Sequence, residues 1–102
     1  MSKPENAVFE TPILVLLILT KGAESRRNIL VTLLSGPKNC NRIAKEVHLD
    51  WWTVQKHLRH LKKENLVKRS EFGNSKFYSL SPKGEVIIRT FLQRCTDPKK
   101  IP

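Results

Sequence analysis

The sequence predicts a mainly α-helical chain carrying one small β-hairpin, an α+β class built around one core. Three observations lead there. Several stretches place apolar residues at helical spacing between Gly, Pro, Asn, Asp or Ser boundaries. Two short runs of β-favouring residues flank Gly73-Asn74-Ser75. A length of 102 residues suffices for one compact core and leaves no room for a second independent one. Charged residues make up 27% and alternate in sign between apolar runs, which sets the chain apart from disordered ones.

Each element follows from its own signals. Residues 1–10 read as a polar arm and residues 96–102 as a flexible tail, leaving 11–95 as the domain. Thr11 is placed to cap a first helix with Pro12 in its opening turn, and the apolar run Ile13 to Leu19 ends at Lys21-Gly22. That run reads equally as a buried strand. A second helix begins near Glu24 and Ser25, carries Ile29, Leu30, Leu33 and Leu34 inward, and stops at Gly36-Pro37. Arg26 and Arg27 sit in its first turn, where the helix dipole favours acids, so another requirement must place them there.

A short third helix spans Asn39 or Asn41 to His48, with Ile43, Ala44 and Val47 on one face. Asp50 caps the next, Trp51 to about Asn65, whose inward stripe is Val54, Leu58 and Leu61. The exposed remainder is Trp52, Thr53, Gln55, Lys56, Arg59, His60, Lys62 and Lys63. Val67 to Phe72 and Lys76 to Leu80 then form the hairpin, with Gly73 to Ser75 as its loop. Ser81-Pro82 starts a last helix that runs through Val86, Ile87, Ile88, Phe91 and Leu92 to about Cys95, before Asp97-Pro98.

Charge narrows the function. The chain holds 19 Lys plus Arg against 9 Asp plus Glu, a net charge of +10. Residues 1–50 contribute +2 of that and residues 51–102 contribute +8, so the excess is local. A basic surface concentrates polyanions, which points to nucleic acid or an anionic membrane surface. The seven-residue run from Ile13 is far short of the ~20 residues a spanning helix needs, so no membrane partner is expected. Lys3 before that run and Ala23 after it outline a secretory leader. Glu5, Glu10 and the lack of a small-x-small site close behind argue instead for a buried segment. No HExxH, GxSxG or glycine-rich phosphate loop occurs, so neither an enzyme nor a cofactor is expected.

A short helix, a tight turn and a longer basic helix over residues 39–65 form a helix-turn-helix, whose second helix fits the ~12 Å major groove of B-DNA. The hairpin of 66–80 is then a wing, and the helix of 82–95 closes the domain. Seven Lys/Arg and two Asp/Glu fall between Gln55 and Lys76, so charge gathers where this geometry puts DNA. The best contacts on the reading helix are Gln55, suited to adenine, and Lys56 and Arg59, suited to guanine, with Thr53 toward phosphate or a methyl group. Lys62 and Lys63 extend that face, and Lys68, Arg69, Asn74, Ser75 and Lys76 are the wing's candidates. Trp51 and Trp52 cannot both point inward. One packs beneath the wing or the preceding helix, and the other, Trp52, lies free to meet sugar or thymine methyl surface.

The segments Ser25-Arg26-Arg27-Asn28-Ile29-Leu30, Leu33-Leu34, Gly36-Pro37, Ile43-Ala44-Lys45-Glu46, Val54 to Leu61, Asn65-Leu66-Val67 and Tyr78 to Gly84 carry a resemblance. Over residues 24–92 the chain resembles small prokaryotic, particularly archaeal, winged-helix transcriptional regulators of the ArsR-like type. The resemblance implies a homodimer on a roughly palindromic duplex, with Trp51 to Asn65 as the reader and His57 as a packing or backbone-supporting residue. Metal-sensing members carry two cysteines close together on the first helix of the helix-turn-helix. Here only Cys40 lies there, followed by Asn41 and Arg42, and His57 with His60 supplies just two ligands, so no metal is expected.

The apolar surface of the outer helices exceeds what a small core requires, which designates Ile13, Leu16, Leu17, Val86, Ile87, Phe91 and Leu92 as the dimer interface. Cys40 and Cys95 are either small buried residues or one disulfide, within or between chains. The expectation is a cytoplasmic, nucleoid-associated DNA-binding regulator whose partners are double-stranded DNA and a second copy, with no small-molecule effector identifiable. The alternative is a winged-helix module that docks onto transcription or replication proteins without reading DNA.

Overall fold

The computed structural model describes residues 11–95, apart from the side chains of Arg94 and Cys95. The polar arm, the flexible tail and the stop at Asp97-Pro98 lie outside the described residues. Five helices and a two-stranded antiparallel hairpin make up the rest.

Helix α1, Thr11–Leu14, widens into π-type turns over Val15–Leu19, and Thr11 lies inside it rather than at a cap. The Thr20 hydroxyl donates to the Val15 carbonyl at 2.8 Å, satisfying one acceptor that the helix end leaves over. The chain reverses through Gly22 at φ 89°, a left-handed conformation that favours glycine. Helix α2, Ala23–Thr32, follows and tightens into a 3-10 turn over Leu33–Ser35.

The two arginines in the first turn of α2 are explained by what precedes them. Arg26 Nε donates to the Leu16 carbonyl at 2.6 Å and Nη2 to the Lys21 carbonyl at 3.2 Å. Arg27 Nη1 donates to the Leu17 carbonyl at 2.5 Å, and its guanidinium lies 4.9 Å from the Phe91 ring centre. Both cations thus serve the carbonyl-rich, partially negative end of α1, a stronger claim than the dipole of their own helix.

Helix α3, Cys40–Val47, starts under an Asn39 cap whose side chain accepts from the Arg42 amide at 2.8 Å. It ends at His48, left-handed at φ 60°. Helix α4, Trp51–Lys63, starts under Asp50, which accepts from the Thr53 amide at 3.1 Å and the Thr53 hydroxyl at 2.6 Å. Strands β1, Val67–Phe72, and β2, Ser75–Leu80, pair in the register Phe72 with Ser75 and Val67 with Leu80. Ser75 therefore belongs to a strand, and the expected three-residue loop is the two-residue turn Gly73-Asn74. A positive φ at Gly73 alone fits a type II′ turn. Lys38 adds a one-residue bridge outside β2, exchanging both backbone bonds with Tyr78 at 2.8 and 3.0 Å.

Helix α5, Pro82–Cys95, begins at Ser81, whose hydroxyl accepts from the Gly84 amide at 2.9 Å and donates to the Asn65 carbonyl at 2.5 Å. One cap thereby ties the start of α5 to the connection between α4 and β1.

Ile13, Leu17, Ile29, Leu30, Ile43, Val54, Leu58, Leu61, Leu66, Ile87 and Ile88 form the centre of the core. Burial of each such side chain contributes roughly 1.5–3 kcal/mol, so Ile13 and Leu17 bind α1 firmly to the rest of the chain. This corrects the expected dimer interface. Ile13, Leu17 and Ile87 are buried within one chain and are not available to a partner. Leu16, Phe91 and Leu92 are half-buried and Val86 is exposed, while Val15, Ile18 and Leu19 present apolar surface that the expected set omitted. Among the described residues no helix is long and apolar enough to cross a membrane.

Candidate nucleic-acid interface

Helix α4 divides its residues by period. Val54, His57, Leu58 and Leu61 face the core, while Trp52, Lys56, Arg59 and Lys63 follow one another at spacings of four and three on the exposed side. Lys62 and His60 are exposed on either flank, and Thr53 and Gln55 are half-buried. Lys56, Arg59, Lys62 and Lys63 take part in no salt bridge among the described residues. Cations elsewhere do: Lys38 and Arg42 meet Glu46 at 3.3 and 2.6 Å, Arg69 meets Glu71 at 2.6 Å, and Arg89 meets Glu85 at 2.9 Å. The Thr32 hydroxyl and those two cations pull the Glu46 carboxyl down to about 2, so it stays charged opposite them. Glu46, Glu71 and Glu85 thus face cations elsewhere, and the exposed stripe of α4 keeps its positive charge.

The wing stands beside that face. Val67 and Tyr78 anchor the hairpin in the core, while Lys68, Arg69, Asn74, Ser75 and Lys76 are exposed. A cleft of about 300 Å³ between α4 and the wing is lined by Gln55, Arg59, Lys62 and Arg69. A second, of about 310 Å³, opens between the heads of α3 and α4 and the wing tip, lined by Asn39, Asn41, Trp51, Gln55, Asn74 and Lys76. The structure thus brings together the candidates of the reading helix and those of the wing around Gln55.

Two expected contacts are qualified by their partners. The Thr53 hydroxyl is held by Asp50, and that contact keeps the Asp50 carboxyl below its usual range, so the Thr53 methyl is the freer part of the side chain. Arg69 is held by Glu71 and must exchange that partner to meet a phosphate. Trp51 and Trp52 make an edge-to-face pair at 4.8 Å, and neither is buried: Trp52 is 74% exposed and Trp51 39%. Sequence reasoning missed Asn41, whose place at the head of α3 has no periodic signal, and Phe72, discussed below.

Behind the exposed face, His57 meets α2. Arg26 Nη1 lies 3.3 Å from His57 Nδ1, and its Nη2 donates to the Thr20 hydroxyl at 2.5 Å. A guanidinium can only donate, so Nδ1 accepts and the imidazole is neutral with its proton on Nε2. Burial first, then the charges of Arg26, Lys56 and His60, pushes the His57 pKa below 6.5. The unfolded chain therefore binds the proton more readily, and stability falls as pH drops below about 6.5 until the folded-state pKa is reached, by at most about 1.4 kcal/mol per pH unit. Urea unfolding between pH 7 and 5 is expected to show this slope, and His57→Gln to remove it. An equal slope in that variant would assign the effect elsewhere.

Cys40 is a free, buried thiol whose Sγ lies 3.9 Å from the Trp51 carbonyl, and burial pushes its pKa up. The Cys95 side chain lies outside the described residues. No group of three or more His, Cys, Asp or Glu that could hold a metal occurs among the described residues.

A short helix, a tight turn, a second helix with an exposed cationic face and a hairpin beside it define a winged helix-turn-helix domain. Residues 24–97 match the winged helix-turn-helix family model, and the chain belongs to that family. The fold is similar to that of MepR, a transcription regulator of the Staphylococcus aureus multidrug efflux pump MepA, at a TM-score of 0.70 and 21% identity over 76% of this chain and 61% of that one. It is also similar to Lactococcus lactis ZitR, a zinc-responsive MarR family member, at 0.67 and 21% over 80% and 59%. A ZitR variant in complex with DNA gives 0.66 and 20% over 76% and 56%. The chain thus spans less than two thirds of the length of these proteins. No curated protein matches it.

Proposed function

We propose that the chain is a sequence-specific, double-stranded-DNA-binding transcriptional regulator that acts as a homodimer, of the ArsR-like type within the winged-helix regulators. Helix α4 enters the major groove, and the wing meets the backbone or the adjoining minor groove. The observation that carries this reading is the exposed stripe Trp52, Lys56, Arg59 and Lys63, whose three cations take part in no salt bridge among the described residues. Neighbours of the same fold include one solved with DNA and one described as a transcription regulator, which supports the reading. A second copy is supported by the exposed Val15, Ile18 and Leu19 of the first helix together with Val86 of α5. Such a protein would work on the chromosome in the cytoplasm.

Replacing Gln55, Lys56 and Arg59 together by alanine is expected to weaken binding to a selected duplex by at least about a hundredfold, since each base contact contributes ~1–3 kcal/mol. Unfolding stability should change by under about 1 kcal/mol, because none of the three is in the core. Duplex affinity equal to that of the wild type would favour the protein-docking module instead.

A further inference from the structure

The wing carries a feature that phosphate contact does not explain. Phe72 ends β1 immediately before the Gly73-Asn74 turn, and its side chain is 69% exposed at the tip of the hairpin. The hairpin does not need it there. Gly73 supplies the positive φ of the turn, and Val67 and Tyr78 hold the strands to the core. The register places Phe72 and Phe77 on one face of the ribbon with Lys68 and Ser70, and the two rings lie 5.9 Å apart at 59°. Arg69, Glu71 and Lys76 occupy the opposite face, toward α4. An aromatic tip supported by a second ring therefore has Lys76, across from Glu71, beside it on the opposite face, and Lys68 on its own face four residues back toward the base of the hairpin.

We infer that Phe72 is a wedge that enters the minor groove beside the reading helix's site, partly unstacks a base step and bends the duplex; this rests on the DNA-binding reading above. The charge distribution selects this occupant. Lys76 beside the tip and Lys68 farther back on the ring's own face can each reach a phosphate wall of a minor groove, and between those walls the exposed surface is base edge and base plane, where an apolar ring is suited. Phe77 backs the ring and limits its retreat. Pyrimidine–purine steps unstack most readily, so the wedge adds a preference for TA or CA/TG at a position that no hydrogen bond reads.

The test uses the full chain and a duplex that the wild type has selected from a random pool, labelled with a donor and an acceptor dye at its ends. Wild type is expected to raise energy transfer on binding. Phe72→Ser should bind about tenfold more weakly without that rise, and with the same salt dependence, because the phosphate contacts persist. Phe72→Trp should restore both. A Phe72→Ser complex that bends and binds like wild type overturns the wedge, as does a wild-type complex whose duplex stays straight. A Phe72→Ser protein altered only in the sedimentation of the free chain also overturns it, by assigning the ring to a protein contact. Wild type that enriches no duplex at all removes the DNA-binding reading itself, and the wedge with it.

Discussion

Replacing Arg26 by methionine is expected to destabilise the fold by about 3 kcal/mol, because buried acceptors then lose their donor. Arg26 is 5% exposed, and its guanidinium serves the Leu16 and Lys21 carbonyls, the Thr20 hydroxyl and His57 Nδ1. No buried side-chain polar atom among the described residues lacks a partner, so methionine would create a deficit where none exists. Relief of the cost of burying a charge offsets part of this loss. It does not cancel it, since His57 Nδ1 is buried with Arg26 and methionine offers it no donor. Lysine is expected to rescue little, because an ammonium cannot spread donors along a planar fork. Urea unfolding checks the value, and a loss below about 1 kcal/mol would mean that the end of α1 is solvated rather than held by Arg26.

The second large effect concerns a glycine inside a helix. Gly84→Ala in α5 would ordinarily stabilise by up to about 1 kcal/mol, since alanine loses less backbone freedom on folding. Here a Cβ at position 84 would stand 2.0 Å from the Leu66 carbonyl oxygen and 2.9 Å from its carbon. The obstacle is backbone, and that same oxygen accepts from the Ser81 amide at 3.1 Å, so it cannot swing away without losing the cap of α5. The expected result is a loss of about 3 kcal/mol, at the upper end of overpacking costs. The sign of the change decides the matter: stabilisation would show that α5 stands further from the α4–β1 connection. Because Leu66 leads directly into β1, the variant should also loosen the wing, visible as faster amide exchange at Val67 and Tyr78.

What the sequence disclosed and what it hid follow from the range of each interaction. Asp50 and Ser81 are readable as caps because a cap is a local bond between residues three apart. The helix-turn-helix and its hairpin followed from periodicity for the same reason. The bridge of Lys38 to Tyr78 left no trace, since one residue has no period. Ser75 is neutral between turn and strand, so the pattern alone makes the hairpin loop one residue longer than the Gly73-Asn74 turn of the fold.

The dimer face suffered from a different limit. Along Ile13 to Leu19 every position is apolar, so nothing in the pattern separates the buried Ile13 and Leu17 from the exposed Val15, Ile18 and Leu19. Arg26 was visible as a conflict between a cation and the start of its own helix, and only the fold supplied the reason. On α4, by contrast, the alternation of apolar and cationic residues separates the buried Val54, Leu58 and Leu61 from the exposed Trp52, Lys56, Arg59 and Lys63, while Thr53 and Gln55 are half-buried between them. Thr53 and Arg69 are held by Asp50 and Glu71, partners set by side-chain geometry that no periodic pattern carries.

The central claim is that α4 reads a DNA sequence from a symmetric pair of protomers. Selection from a random pool of duplexes by the full-length wild type tests it most directly, because sequence preference, half-site spacing and symmetry all appear in the recovered duplexes. An enriched inverted repeat with half-sites about one helical turn, ~34 Å, apart is expected, with no enrichment by the variant lacking Gln55, Lys56 and Arg59. A pool that remains random after selection by the wild type would contradict it.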